Sequence, residues 1–211
     1  MAGIRAKEVR LAHVAARPGD FPRDGLPEFA LCGRSNVGKS SLLNRLLGRA
    51  GLARVSKTPG RTREIFFYAV DRRFYLVDLP GFGYARVPER MRRAWSRLVE
   101  SYLDGRESLR LAIHLVDARH EPTSLDRLLR DALEARGVRS AVVLTKGDKL
   151  RAAARARASA RARAALGLPP ETPVLLTSAR TGEGLAELAR LVLGGLEDAR
   201  GLGGAPAKGV R

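Results

Sequence analysis

Short apolar runs alternate with amphipathic stretches along most of the chain. Glu28-Phe29-Ala30-Leu31-Cys32, Leu111–Val116, Ala141–Leu144 and Val174–Thr177 are near-continuous apolar runs of strand length, the pattern of parallel strands buried on both faces. Ile65–Val70 and Phe74–Val77 are rich in aromatic and β-branched residues and meet at Asp71-Arg72, so they predict an antiparallel hairpin. Between the runs, apolar residues fall at helical spacing. The sets are Leu42, Leu43, Leu46, Leu47; Met91, Trp95, Leu98, Val99, Tyr102; Leu125, Leu128, Leu129, Ala132, Leu133; and Leu185, Leu188, Ala189, Val192, Leu196. Thr123 or Ser124 caps the third of these helices, and Gly105 and Gly137 stand as stops. The alternation predicts an α/β fold: a mixed, mostly parallel, six-stranded sheet flanked by helices on both faces. Glu8–Leu11 reads as a short edge strand, and Pro18, Pro22 and Pro27 punctuate a loop after it. The organisation expected is an extension over 1–28 packed on the domain, one domain over 29–197, and a flexible glycine-rich tail over 198–211.

Charge changes this picture more than composition does. The 211 residues carry 39 Lys plus Arg against 22 Asp plus Glu, a formal charge of +17. Such an excess is the footprint of a polyanion binder. It is also what a bias towards Arg and Ala would produce, since only six of the 39 cations are lysines. Lys149 to Leu166 holds six basic residues and no acid, with Arg151, Arg155, Arg157, Arg161 and Arg163 spread around the wheel. A solvated peripheral helix and a helix that meets RNA phosphates both fit that spread. The lone Cys32 makes no intrachain disulfide and reads as a small core residue, in keeping with a reducing, cytoplasmic setting. His114 lacks partners at metal-ligand spacing. No apolar run is long enough for a membrane span, and no secretory leader is visible.

The candidate chemistry lies where the strands end. Gly33-Arg34-Ser35-Asn36-Val37-Gly38-Lys39-Ser40-Ser41 fits G-x-x-x-x-G-K-[ST] between a strand and a helix. Glycines let the backbone approach a phosphate, the loop N–H groups form an anion nest, and the helix N-terminus adds to it. Lys39 would reach the β- and γ-phosphates, and the Ser40 hydroxyl would ligate Mg²⁺. Asp78-Leu79-Pro80-Gly81 follows the hairpin: the carboxylate can hold Mg²⁺ through water and the Gly81 N–H can meet a γ-phosphate. Thr62, in the polar loop before the hairpin, could add a second hydroxyl to the metal. Loops ordered in this way by phosphate and metal make a switch. Asp148, closing Thr145-Lys146-Gly147-Asp148, is expected to select guanine, whose N1–H and amino group lie side by side and can share one carboxylate. The Lys146 stem can lie along the base, and Ser178-Ala179-Arg180 can offer a backbone N–H to the guanine carbonyl.

These segments resemble the phosphate-loop GTPases, and within them the EngB/YihA/YsxC family of ribosome-biogenesis GTPases. The resemblance rests on Gly33–Ser41, on Ser56-Lys57-Thr58-Pro59-Gly60-Arg61-Thr62, on Asp78–Ala85 and on Thr145–Asp148, and it covers about residues 8–197. It implies a phosphate-loop GTPase domain with Mg²⁺-dependent GTP binding and slow hydrolysis to GDP. It also implies a part in assembly of the large ribosomal subunit, with that precursor's rRNA and proteins as partners, and a link to septation in dividing cells. The implied nucleotide site comprises residues 33–41, Gly60, Arg61, Thr62, Arg63, Glu64, Asp78, Leu79, Pro80, Gly81, Thr145, Lys146, Gly147, Asp148, Thr177, Ser178, Ala179 and Arg180. Lys39 and Thr62 are its catalytic candidates; Ser40 and Thr62 are on the metal, with Asp78 reaching it through water. Asn36 matches the asparagine of relatives that use K⁺ in place of an arginine finger, which makes it a candidate K⁺ ligand. Two departures from the family pattern are Gly147, where Ala is frequent and the change is expected to be harmless, and Arg180 in place of a lysine. Phe82 stands where many signalling GTPases place a water-orienting glutamine. A monomer is expected. The alternatives are a nucleotide-independent RNA binder with a vestigial pocket and an Era-like GTPase; the latter usually carries an added RNA-binding domain.

Overall fold

The structure is a computed structural model that describes residues 3–53, 64–82 and 97–201. Its centre is one sheet of seven strands in the order β1-β3-β4-β2-β5-β6-β7. The strands are β1 (Val9–Ala15), β2 (Glu28–Gly33), β3 (Ile65–Val70), β4 (Phe74–Asp78), β5 (Leu109–Asp117), β6 (Ser140–Thr145) and β7 (Val174–Leu176). The helices are α1 (Lys39–Leu46), α2 (helical over 97–103), α3 (Ser124–Ala135), α4 (Ala152–Leu166) and α5 (Leu185–Gly201).

The expected six strands become seven because β1 is longer than its apolar residues suggest. It pairs antiparallel with β3 from Val9↔Val70 to Ala15↔Ile65, with an irregularity between Leu11 and His13. An edge strand with that irregularity shows no clean alternation, and Leu11 and Val14 are exposed. The hairpin is present: the strands pair up to Val70↔Phe74, and between them the Arg73 N–H donates to Val70 O at 2.9 Å across Asp71 and Arg72, both of positive φ. From β4 to β7 every pairing is parallel.

Among the described residues, two helices cover one face and three the other. Leu42, Leu43 and Leu46 of α1 pack with Leu185, Leu188, Val192 and Leu196 of α5 against Phe29, Leu31, Ile113 and Val143. On the opposite face Leu98 and Tyr102 of α2 and Leu133 of α3 meet Ala30, Phe67 and Ala112, while Ala158, Ala162 and Leu166 of α4 meet Val116 and Val142. The stripe expected on α3 is rotated. Leu125 and Leu128 are 37% and 61% exposed, and Asp126 is buried instead. The cause is a capping box: the Thr123 N–H and hydroxyl donate to Asp126 Oδ2 at 2.7 Å, and the Asp126 N–H returns to Thr123 Oγ1. Asp126 therefore turns inward, where its Oδ1 lies 3.8 Å from Nε2 of the buried His114. Helix α5 continues to Gly201, past the boundary expected at 197, and the rest of the expected tail lies outside the described residues.

The arginines of α4 are largely occupied within the chain. Arg155 donates to Gly147 O at 3.0 Å, Arg161 to Ala118 O at 2.8 Å and Arg163 to Thr172 O at 2.8 Å. This helix does not present a continuous free basic stripe. Cys32 is buried, and burial pushes its thiol up to about 12, which keeps it protonated and unreactive.

Candidate functional site

The site forms at the C-terminal ends of β2, β4, β5, β6 and β7, the edge where ligands sit in sheets of this kind. β2 runs fully buried into Gly33, where the chain turns into the phosphate loop. A Cβ on Gly33 would stand 2.7 Å from Leu115 O, so only glycine lets the loop leave beside β5. Gly38, with φ of 108°, precedes the first turn of α1, which begins at Lys39 and Ser40.

Neighbouring strand ends brace this loop through its own backbone. Thr145 Oγ1 donates to Val37 O at 2.6 Å. Lys146 Nζ donates to Asn36 O at 2.7 Å and to Asp117 Oδ2 at 2.8 Å. Asn36 and Lys146 both adopt left-handed backbone, with φ of 61°. The segment after β4 is tied to the loop as well. The Ser35 N–H donates to Phe82 O at 2.9 Å and the Phe82 N–H to Gly33 O at 3.3 Å. Gly81 lies so close that a Cβ there would be 3.0 Å from Ser35 Cα. Phe82 thus contributes its backbone to the site. Lys39 Nζ pairs with Asp78, whose carboxylate closes β4 at 4% exposure with Leu79 buried behind it.

The second half of the site surrounds Asp148. Ser178 Oγ donates to its Oδ1 at 2.7 Å and Arg180 Nε to its Oδ2 at 2.8 Å. Those two bonds, the Ser178 one first, hold the carboxyl below its ordinary range. Thr177 is buried and donates to Leu144 O, fixing β7 to β6. The turn after it is closed by Gly182 N–H to Ser178 O at 2.9 Å and Ser178 N–H to Glu183 O at 3.1 Å. Arg155 of α4 joins the two base-side loops, because it donates to Gly147 O and pairs with Glu183. A cleft of about 680 Å³ brings Gly38 and Ser41 of the first half together with Thr145, Lys146, Asp148, Ala179 and Arg180.

Of the residues singled out in the sequence, Gly33–Ser41, Asp78–Gly81, Thr145–Asp148 and Thr177–Arg180 therefore converge at one edge. Glu64 lies at the entry to β3, and Gly60, Arg61, Thr62 and Arg63 fall outside the described residues, as do Met91 and Trp95. Two contributors stand outside the site expected from the sequence. Asp117 ends an apolar run, a usable signal for a strand-end carboxylate, and Arg155 gives no local signal. Phe82, singled out in the sequence for its side chain, contributes through its backbone instead. In chemical terms, the edge offers hard oxygen donors suited to Mg²⁺: the Ser40 hydroxyl, the Asp78 carboxylate and the Ser35 hydroxyl, which is buried without a hydrogen-bond partner. Among the described residues no group of three or more His, Cys, Asp or Glu forms a metal cage, so any metal here would lean on water and phosphate oxygens.

A sequence profile described as that of a 50S ribosome-binding GTPase matches residues 28–146. A Pelotomaculum thermopropionicum protein described as a probable GTP-binding protein EngB is 47% identical over 189 residues, spanning 90% of this chain and 96% of that one. The chain belongs to the EngB family of GTP-binding proteins. It is a GTPase. The EngB relative from Thermotoga maritima is 44% identical over 186 residues, covering 88% of this chain and 95% of its own. A crystal structure of a probable EngB protein superposes with a TM-score of 0.69 at 23% identity, over 81% of this chain and 99% of that one, and shows the shared fold. Era, solved with MgGDPNP and a segment of 16S ribosomal RNA, matches at 0.63 and 22% identity, over 80% of this chain and 56% of its own. The phosphate-loop GTPase fold expected from the EngB resemblance is therefore the fold observed.

Proposed function

We propose that this EngB-family GTPase is a GTP-gated switch in assembly of the large ribosomal subunit, acting in the cytoplasm as a monomer. The observation that carries the nucleotide reading is the double bracing of the phosphate loop by Thr145 and Lys146, with Asp148 held one step further along the same cleft. In this reading the loop N–H groups and Lys39 bind the phosphates. Asp148 accepts the guanine N1–H and amino group, the Ala179 N–H meets the guanine carbonyl, and the Lys146 stem lies along the base. Ser40 and Thr62 would hold Mg²⁺, with Asp78 acting through water. The bound ion would neutralise charge between the β- and γ-phosphates. Lys39 would exchange its pairing with Asp78 for phosphate oxygens on nucleotide binding.

Hydrolysis is slow in this proposal because the Phe82 side chain cannot orient a water, so a partner accelerates it. Asn36 is the ligand through which K⁺ would add charge stabilisation; equal turnover in K⁺ and Na⁺, with and without ribosomal particles, overturns that part. The ribosomal reading is supported by the description of the matching profile and by the charge of +17. The link to septation follows from the family resemblance. The test is binding to large-subunit particles with GDP, with a non-hydrolysable GTP analogue and without nucleotide, across a salt series. Binding favoured by the analogue and weakened steeply by salt is expected. Binding that ignores nucleotide would favour a plain RNA binder instead.

A further inference from the structure

The carboxylate proposed to read guanine is already covered. Asp148 has a side chain only 6% exposed, although it lines the cleft that a base would enter. Ser178 holds Oδ1 and Arg180 holds Oδ2. The two donors differ in kind. Ser178 is buried and built into the turn. Arg180 is 69% exposed, and among the described residues it makes no other hydrogen bond or ion pair.

We propose that Arg180 is a displaceable cap on Asp148, an internal stand-in for the guanine edge that must leave before the base can bind. This rests on the reading of Asp148 as the guanine acceptor. The chemistry is one of like for like. The N1–C2–N2 edge of guanine is itself a guanidine fragment, and an arginine side chain offers the same planar N–H donors with a full charge added. With no base present, Arg180 gives Oδ2 a donor and the carboxylate a counter-charge, beside the bond that Ser178 makes to Oδ1. Ser178 can stay when guanine arrives, because each carboxylate oxygen has two lone pairs. Arg180 can leave by side-chain rotation alone, because the bonds from Gly182 to Ser178 and from Ser178 to Glu183 hold the turn. Its exposure makes the pair weak enough to open.

A cap of this kind is a pre-equilibrium. It lowers the apparent association rate and the affinity by the same factor, the fraction of uncapped molecules, and leaves dissociation untouched. The test uses the full chain with a fluorescent GDP in stopped flow. Arg180→Met keeps the apolar stem and removes the donors. It should raise the association rate roughly two- to fivefold, the range an exposed ion pair supports, with the dissociation rate unchanged. Arg180→Lys should lie between Met and wild type. In an Asp148→Asn background, Arg180→Met should change nothing, since no carboxylate remains to be capped. An unchanged or slower association overturns the cap, and an effect confined to faster dissociation overturns it in favour of Arg180 as a base-stacking residue. Guanine preference over adenine is measured on Asp148→Asn alone. If that preference survives, the reading of Asp148 fails, and this is separable from failure of the cap.

Discussion

Lys146 Nζ bridges Asp117 Oδ2 at 2.8 Å and Asn36 O at 2.7 Å, so one side chain ties the ends of β5 and β6 to the middle of the phosphate loop. The lysine has no acceptor of its own and places its charge between a carboxylate and a carbonyl. Asp117→Asn removes the ionic half of this anchor and leaves the ammonium facing an amide. Calorimetric titration with GDP should show affinity falling about tenfold, the scale of one lost hydrogen bond to a charged group. Unchanged affinity would mean that Asp117 serves Arg119 alone.

The same carboxylate sets part of the acid limit of stability. Burial pushes the Asp117 carboxyl up, but hydrogen bonds from Arg119 and Lys146 outweigh it and hold the group well below the usual range. A depressed folded value means the stabilisation is present above the unfolded value, about 3.9, and is lost as pH falls below it. Asp126 is lowered too: burial pushes it up, but the nearby His114 ring and the hydrogen bonds from Thr123 outweigh that. The melting temperature should therefore drop on going from pH 5 to pH 3. The slope should be shallower in Asp117→Asn, which has no such proton to take up. Parallel curves for the two proteins would count against this assignment.

At the opposite end of β2, Glu28 is 1% exposed and accepts from Tyr102 Oη at 2.8 Å and from Arg106 Nε at 3.1 Å. Arg106 also donates to Pro22 O at 2.8 Å, so the pair fastens the loop before β2 to the segment after α2. Burial first, and then Glu28, push the Tyr102 phenol well above its ordinary value, which keeps it a donor. Glu28→Gln strands a partly buried guanidinium and should cost about 3 kcal/mol. Tyr102→Phe leaves the ion pair intact and should cost about 1 kcal/mol. Urea unfolding of both variants separates the two effects.

What could be read from the chain was what its local order encodes. The strand, phosphate loop and helix over 28–47 follow from one spacing, and the turn at Asp71-Arg72 from its brevity. The fourth-turn stripe on α5 holds because Leu185, Leu188, Val192 and Leu196 are all buried. The rest depends on partners far along the chain. Asp126 turned α3 because the Thr123 N–H and hydroxyl hold its carboxylate, and no apolar count records that. The α4 arginines looked ambiguous because their acceptors are backbone carbonyls of Ala118, Gly147 and Thr172, to which side-chain patterns are blind. Around Asp148 the residue types were legible. Their present pairing with Arg180 and Ser178 was not, because it joins positions 30 and 32 residues away.

Gly184 closes the base-side turn with φ of +69°, and a Cβ there would stand 2.2 Å from Leu176 O. Gly184→Ala combines left-handed strain with a backbone clash and should cost about 3 kcal/mol. Gly19→Ala, with nothing within 4 Å of its Cβ, serves as the control and should stay near wild type. Equal denaturation midpoints for the two variants would show that the turn relaxes freely.

Gly147 bears on a departure from the family that looked harmless in the sequence. A Cβ there would meet Leu176 Cγ at 3.0 Å, Leu176 Cδ1 at 3.1 Å and Thr177 O at 3.2 Å. The first two atoms belong to a side chain that can yield, and the third to backbone that Thr177 pins to Leu144. Glycine and Leu176 are thus fitted to one another. Gly147→Ala alone should destabilise by about 1 kcal/mol. Adding Leu176→Val should recover most of that loss, although Leu176→Val alone costs stability, so the two changes couple with opposite sign to their single effects. Thermal unfolding of the four proteins measures the coupling. Strict additivity would show that the methyl is absorbed by movement of the Gly147 backbone, and guanine-nucleotide affinity should then fall together with stability, because Asp148 is the next residue.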